Sequence, residues 1–270
     1  MFRIVRLAIL VLVTLISVGC CATAPTPMPL LRAHAHNDYH HSRPLVDALA
    51  HGFCSFEADI FLVDGELLVA HDIEDVHPDR TLRALYLEPL RNRAKQFGGR
   101  IYPKGPPVTL LIDIKSEAEP TFAVLEQQLA EYSDIIDVYD PARPNAKRNK
   151  PVIAIVSGDR PRELMLQRPR YVARYDGRMS DLDSGLSPHF MPLVSDSWQR
   201  HFKWKGEGEM PAEERAKLHD MVQRAHAAGY RVRFWATPDV ESVWQELLDA
   251  NVDLINADNL PKLQAFLLNR

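Results

Sequence analysis

Short apolar runs alternate with segments of helical periodicity along nearly the whole chain. The runs are Leu31–Ala35, Ser55–Phe61, Thr109–Ile114, Val152–Val156, Tyr171–Ala173, Phe190–Val194, Tyr230–Trp235 and Val252–Asn256. Between them lie the helical candidates Pro44–His51, Pro120–Tyr132, Pro161–Gln167, Pro211–Ala228, Val240–Ala250 and Pro261–Leu268, several opening with proline in the first turn, where its missing N–H costs nothing. Strand and helix in alternation imply parallel pairing, because each strand must return through a crossover. Eight such units across residues 30–270 match the size of a (β/α)8 TIM barrel. A doubly wound open sheet would carry a glycine-rich phosphate loop after its first strand, and none is present. The reading is therefore one α/β domain, a (β/α)8 barrel, over residues 30–270.

Residues 1–21 are set apart from that pattern. Arg3 and Arg6 precede the apolar run Leu7–Ile16, and small residues follow at Ser17, Gly19 and Ala22. That is the layout of an export signal, and its apolar run is shorter than the roughly 20 residues a membrane span needs. The ending Val18-Gly19-Cys20 is similar to a bacterial lipobox, with Ser17 where Leu is usual, so cleavage and lipidation are both open. Residues 22–29, with Pro and Thr, read as a leader or tether. The expected location is exported, periplasmic or in the cell envelope, with or without a lipid anchor.

With 46% hydrophobic and 25% charged residues the chain is not disordered, and a net charge of −4 excludes nucleic acid as a bulk electrostatic partner. Its three cysteines, two of them adjacent, form neither a disulfide framework nor a zinc motif. A monomer is expected. In a barrel, loops that follow strands lie on the catalytic face. Leu62–Pro107, containing the turn signal Asp64-Gly65, reads as a long loop after the second strand that folds over the mouth. Asp140–Lys150, basic and following a helix, reads as a solvated connector on the far face. The stretch from Trp198 to Lys205 mixes aromatic and basic residues after the sixth strand; it either touches a membrane surface or closes over its own core.

Polar residues two apart near the end of a strand point the same way and converge on the barrel mouth. The first three strands carry such pairs: His34 and His36, Glu57 and Asp59, Asp113 and Lys115. A buried unpaired carboxylate needs a cation or shifts its protonation, and three facing one another ask for a metal ion. Oxygen ligands beside Lys115 suit Mg2+, with Ca2+ as the alternative, better than zinc. His71 follows the strand that carries two of the carboxylates. Two histidines flanking such an ion suit displacement at phosphorus, one imidazole taking a proton and the other giving one.

These residues resemble the glycerophosphodiester phosphodiesterase and phosphatidylinositol-phospholipase C-like superfamily of distorted (β/α)8 barrels. The likeness rests on His36-Asn37-Asp38-Tyr39, Glu57-Ala58-Asp59, Asp64-Gly65 and His71-Asp72. The block from His36 to Leu90 is especially similar to the branch named for a yeast altered-inheritance-of-mitochondria protein. Beyond it the likeness thins to Asp113-Ile114-Lys115, Trp235 and Asp258. The resemblance implies His36 and His71 as the acid/base pair, Glu57, Asp59 and Asp113 as metal ligands, and Lys115, Asn37 and Trp235 as substrate contacts. It implies a small-molecule or lipid phosphodiester as substrate, cleaved by attack of a neighbouring hydroxyl to give a cyclic phosphate. His-Asn-Asp replaces the His-Arg-Gly of glycerophosphodiesterases, and Asp113 stands where those enzymes commonly have Glu. Asp there is similar to the sphingomyelinase D branch, whose disulfide-closed loop has no cysteines here.

Two other readings compete. His34-x-His36 is also how metal-dependent amidohydrolases begin, but these need further histidines after the fifth and sixth strands, and His189 precedes the sixth. A non-catalytic phospho-ligand-binding barrel would lack a metal ligand or a histidine, and neither is missing.

Overall fold

The computed structural model describes residues 26–270. The export signal expected at 1–21, and the start of the leader, lie outside the described residues. Eight strands, all parallel to their neighbours, close into a barrel: β1 (Leu30–Ala35), β2 (Phe53–Val63), β4 (Val108–Ile114), β5 (Val152–Gly158), β6 (Arg174–Gly177), β7 (Leu193–Ser197), β8 (Arg231–Trp235) and β9 (Leu254–Ala257). Pairing of β1 with both β2 and β9 completes the ring. A ninth strand, β3 (Glu66–Val69), is antiparallel to the end of β2 and extends it beyond the barrel. The helices α1 (Val46–Ala50), α2 (Glu88–Gln96), α3 (Ala118–Ala130), α4 (Arg162–Leu166), α5 (Trp198–His201), α6 (Ala212–Ala227), α7 (Glu241–Asp249) and α8 (Leu260–Leu268) occupy the connections. Among the described residues no helix is long and apolar enough to cross a membrane.

Strand alternation sorts the core into two parts. Outward-facing residues such as Phe56, Ala58, Leu110, Ile112, Ala154 and Val156 join the helices in the main apolar core. Inside the barrel, Leu111, Ile155, Leu193 and Leu254 form a small separate apolar layer, with Ile153 against it. Above that layer, toward the C-terminal ends of the strands, the interior turns polar: His34, Glu57, Asp59, Ser157, Asp176, Ser195, Arg233 and Asn256 are all buried. An apolar plug thus seals the barrel beneath a polar chamber that opens only upward.

Two expected strands move for that reason. The fifth lies at Arg174–Gly177 rather than Tyr171–Ala173, and the sixth at Leu193–Ser197 rather than Phe190–Val194. In both, the half that lines the polar chamber is polar in sequence, so the apolar run marks only the approach to the strand. The segment Leu62–Pro107 is not a long loop. Asp64 and Gly65, at φ 50° and 84°, form a two-residue hairpin turn between β2 and β3, and a π-helical turn at Arg83–Leu87 then runs into α2. Pro89, which looks like a break within the apolar stretch Leu85–Leu90, sits in the first turn of α2, where it is tolerated, and Leu90 and Ala94 are buried one turn apart.

The stretch after β7 closes over its own core. Trp198, Phe202 and Trp204 are buried; Trp198 Nε1 donates to Trp204 O at 3.0 Å, and Trp204 Nε1 to Glu207 O at 2.9 Å. Residues 141–149 are exposed throughout, as a connector would be.

Candidate active site

Glu57 and Asp59 project inward from β2, and parallel register sets Asp113 of β4 directly beside Asp59. One oxygen from each of the three carboxylates lies within 4.8 Å of the others. Asp59 Oδ2 is fully engaged: it accepts from Tyr39 Oη at 2.7 Å and lies 3.1 Å from His71 Nδ1 and 3.0 Å from Lys115 Nζ. Asp59 Oδ1 is buried with no partner, and Asp113 Oδ1 has only the off-line Lys115 ammonium at 3.2 Å. Burial and then the charge of Glu57 push Asp59 up to about 6, and burial also raises Asp113. A divalent cation would satisfy these orphaned carboxylate oxygens and favour their ionised forms. The donor set is all oxygen, so the residues fit a hard divalent ion such as Mg2+ or Ca2+. Gly158 lets β5 approach this centre; at φ +69° it lies so close that a Cβ would strike Asp113 Oδ1 and the Ile114 backbone.

Glu57 is held from the opposite side. Its Oε2 lies 3.0 Å from Arg233 Nη1, which is also 2.7 Å from His34 Nε2. Nη1 carries two hydrogens, one for each acceptor, which assigns the proton of a neutral His34 to Nδ1, donated to Ser55 Oγ at 2.7 Å. Burial, followed by the repulsion of Arg233, lowers His34 to about 4 and keeps it neutral. Burial is the largest single influence and works against ionised Glu57, yet Arg233 and the neighbouring His34 and His36 together outweigh it and hold this carboxyl far below the usual range. Oε1 has no protein partner among the described residues and remains available to an ion.

His36, Asn37 and His71 line the same cavity of about 460 Å³ as Glu57, Asp113, Lys115 and Trp235. His36 Nδ1 is 2.9 Å from Asp258 Oδ1. Burial, the largest influence, disfavours the imidazolium, but the Asp258 hydrogen bond together with the negative charges of Glu57 and Asp258 overrides it and the His36 pKa is raised; the same bond lowers Asp258. His71 Nδ1 faces Asp59 Oδ2 and Tyr39 Oη, both at 3.1 Å, so its other nitrogen is the one left to exchange protons. Burial and the Asp59 charge raise Tyr39 well above its ordinary value, so it stays a hydroxyl donor. Asn37 takes the left-handed conformation at φ 44° and turns the chain out of β1. Asp38 pins this turn: fully buried, it accepts from the backbone N–H of Leu45 and from Tyr86 Oη at 2.9 Å. Tyr86 in turn reaches the Glu57 carbonyl at 3.3 Å, which explains why the π-helical turn belongs with the site.

All eight residues expected from sequence for catalysis, metal or substrate meet here. His34 does not line the cavity but accepts from the Arg233 guanidinium that holds Glu57, and His189 stacks on Tyr139 at 4.5 Å, away from the chamber. Four participants were not assigned a role from sequence: Tyr39, Arg178, Arg233 and Asp258. Arg233 is a charged residue near the end of β8, where a barrel interior would be apolar, and that local signal was available in the sequence. Arg178 was hidden by the misplaced fifth strand.

Residues 26–175 match the AIM6-like phosphodiesterase domain. The chain is 30% identical over 273 residues to altered inheritance of mitochondria protein 6 of Eremothecium gossypii, covering 88% of this chain and 69% of that protein. A homologue of that protein from Arthroderma benhamiae is 26% identical, with 87% and 82% covered. In fold, the chain is similar to the crystal structure of a glycerophosphodiester phosphodiesterase from Parabacteroides distasonis, with a TM-score of 0.53, 17% identity, and 88% and 97% of the two chains covered. A closed barrel of this type, an acidic triad beneath its mouth and a domain match over more than half of its length lead to one statement: the chain belongs to the AIM6-like phosphodiesterase domain family.

Proposed function

We propose that this protein is a metal-dependent phosphoric diester hydrolase that cleaves a glycerophosphodiester or phospholipid-type diester. The observation that carries the reading is the meeting of three carboxylates, two of them with orphaned oxygens, at the wall of one cavity that two imidazoles also line. Glu57, Asp59 and Asp113 would hold Mg2+, or Ca2+, which when bound supplies positive charge to the nonbridging oxygens of the ester. Lys115, between Asp59 and Asp113, adds a second positive charge. His36 and His71 form the acid/base pair: one takes the proton of the attacking hydroxyl as the new P–O bond forms, and the other protonates the leaving oxygen as the old one breaks. Asp258 and Asp59 orient the two rings through Nδ1. Attack by a neighbouring substrate hydroxyl gives a cyclic phosphate, and water entering by the reverse proton path opens it. Asn37 and Trp235 line the substrate's approach. Export to the periplasm or cell envelope is the location that residues 1–21 support.

The test is turnover of a panel of glycerophosphodiesters, lysophospholipids and sphingomyelin with Mg2+, Ca2+ or EDTA. His36→Ala and His71→Ala should each abolish cleavage, a loss of about 100-fold or more, while the protein stays folded. Full turnover by both variants, or by wild type in EDTA, would refute the reading.

A further inference from the structure

Three cationic side chains line the catalytic cavity: Lys115, Arg178 and Arg233. Two are committed to the acidic triad, Lys115 to Asp59 and Asp113, and Arg233 to Glu57. Arg178 is different. Its partner is Asp176, a fully buried carboxylate on β6 that belongs to no metal cluster among the described residues. Asp176 is itself immobilised: Oδ1 accepts from Ser195 Oγ at 2.7 Å, and Oδ2 from Ser157 Oγ at 2.8 Å. Onto that base Arg178 places Nη1, which lies 2.9 Å from Asp176 Oδ2 and 3.0 Å from the Gly177 carbonyl. The backbone N–H of Arg178 donates to Asp181 Oδ2 at 2.8 Å, fixing the turn from which the side chain extends.

One edge of the guanidinium is therefore clamped and the other is not. Nε has no protein partner among the described residues, and Nη2 has only a long contact to Ser157 Oγ at 3.4 Å. The Nε–Nη2 edge is the fork that matches two oxygens of one phosphoryl group, which a lysine ammonium cannot reproduce. Ser157 pairs in register with Asp113, so the base of Arg178 adjoins the metal ligands without sharing them. We infer that Arg178, held by the Asp176–Ser157–Ser195 base, is the anion clamp of this cavity and binds the phosphoryl oxygens of the substrate through its Nε–Nη2 edge. The inference rests on the phosphodiesterase reading for its substrate, but anion binding can be measured without turnover.

The experiment is calorimetric titration of the full-length protein with inorganic phosphate in saturating Mg2+, for wild type, Arg178→Lys, Arg178→Met and Asp176→Asn. Arg178→Met should weaken phosphate binding about 10- to 100-fold, the range for a charge-assisted hydrogen-bonded pair. Arg178→Lys, which keeps the charge and loses the fork, should fall between it and wild type, and Asp176→Asn should show a smaller loss. Mg2+ affinity should stay within about twofold in all four, separating an anion clamp from a part of the metal site. If Arg178→Met does not fold, the lysine variant decides. Wild-type affinity in a folded Arg178 variant, or no phosphate binding by wild type, overturns the inference. Arg178-dependent phosphate binding in a protein that turns over no diester would uphold the clamp and refute the hydrolase.

Discussion

Replacing Arg233 by Met tests the electrostatic logic of the polar chamber more directly than any change to the triad itself. The side chains of Arg233 and Glu57 are 3% and 5% exposed and their charged atoms are 3.0 Å apart, so the substitution leaves a buried carboxylate without its cation and His34 Nε2 without its donor. Breaking such a pair costs about 3–5 kcal/mol. In a domain of this size that lowers Tm by roughly 6–20 °C. The pH dependence has a definite sign. In wild type the Glu57 pKa is depressed below its ordinary 4.5, so its contribution is fully present at pH 5 and pH 7.5 and is lost only as pH falls below that value. Without Arg233, burial loses its largest opposing influence and the Glu57 pKa should rise above 4.5. The folded variant then takes up a proton as pH falls, and part of the loss is recovered at pH 5. Urea unfolding followed by the fluorescence of the four tryptophans, in EDTA at both pH values, measures this. A loss below about 1 kcal/mol, or an equal loss at both pH values, would refute the idea that Arg233 is what keeps Glu57 ionised.

Three more outcomes follow from the same chamber. Glu57→Gln combined with Asp59→Asn should weaken Mg2+ binding at least about 100-fold by calorimetry, since two of three charged ligands are lost; unchanged affinity would disprove the metal assignment. Asp38 and Asp59 have raised pKa values, so metal-free wild type should lose stability as pH rises from their ordinary 3.8 through about 6. Excess Mg2+ should flatten the Asp59 part of that slope by favouring its ionised form, and an identical slope with and without the ion would contradict it. Gly158→Ala should destabilise the fold by about 1–3 kcal/mol, through positive φ and the collision with Asp113, and should weaken Mg2+ binding at the same time. Thermal melts with and without Mg2+ would expose a tolerant site as a wrong assignment.

Much of this architecture was legible because its determinants are local. Hydrophobic alternation reports which strand faces meet the helices, and that outer core is continuous in β1, β2, β4 and β5. Where the inner face turns polar, as in Arg174–Gly177, the same signal fails and the strand is misplaced by about its own length. The helix α2 buries only Leu90 and Ala94, so its apolar stripe is too sparse to stand out in the sequence.

The candidate site divides along the same line. Spacing along a single strand is enough to orient Glu57 with Asp59 and to send Asp113 and Lys115 toward the mouth, because the pleat has a period of two. Which strands become neighbours, and in what register, is decided only when the barrel closes. Closure puts Asp113 beside Asp59, Arg233 against Glu57 across a separation of 176 residues, and Asp258 on His36 across 222. Side-chain identity and local period thus specify the chemical groups and their directions. Their partners, and with them the charge state of each group, come from long-range strand pairing that no local pattern encodes.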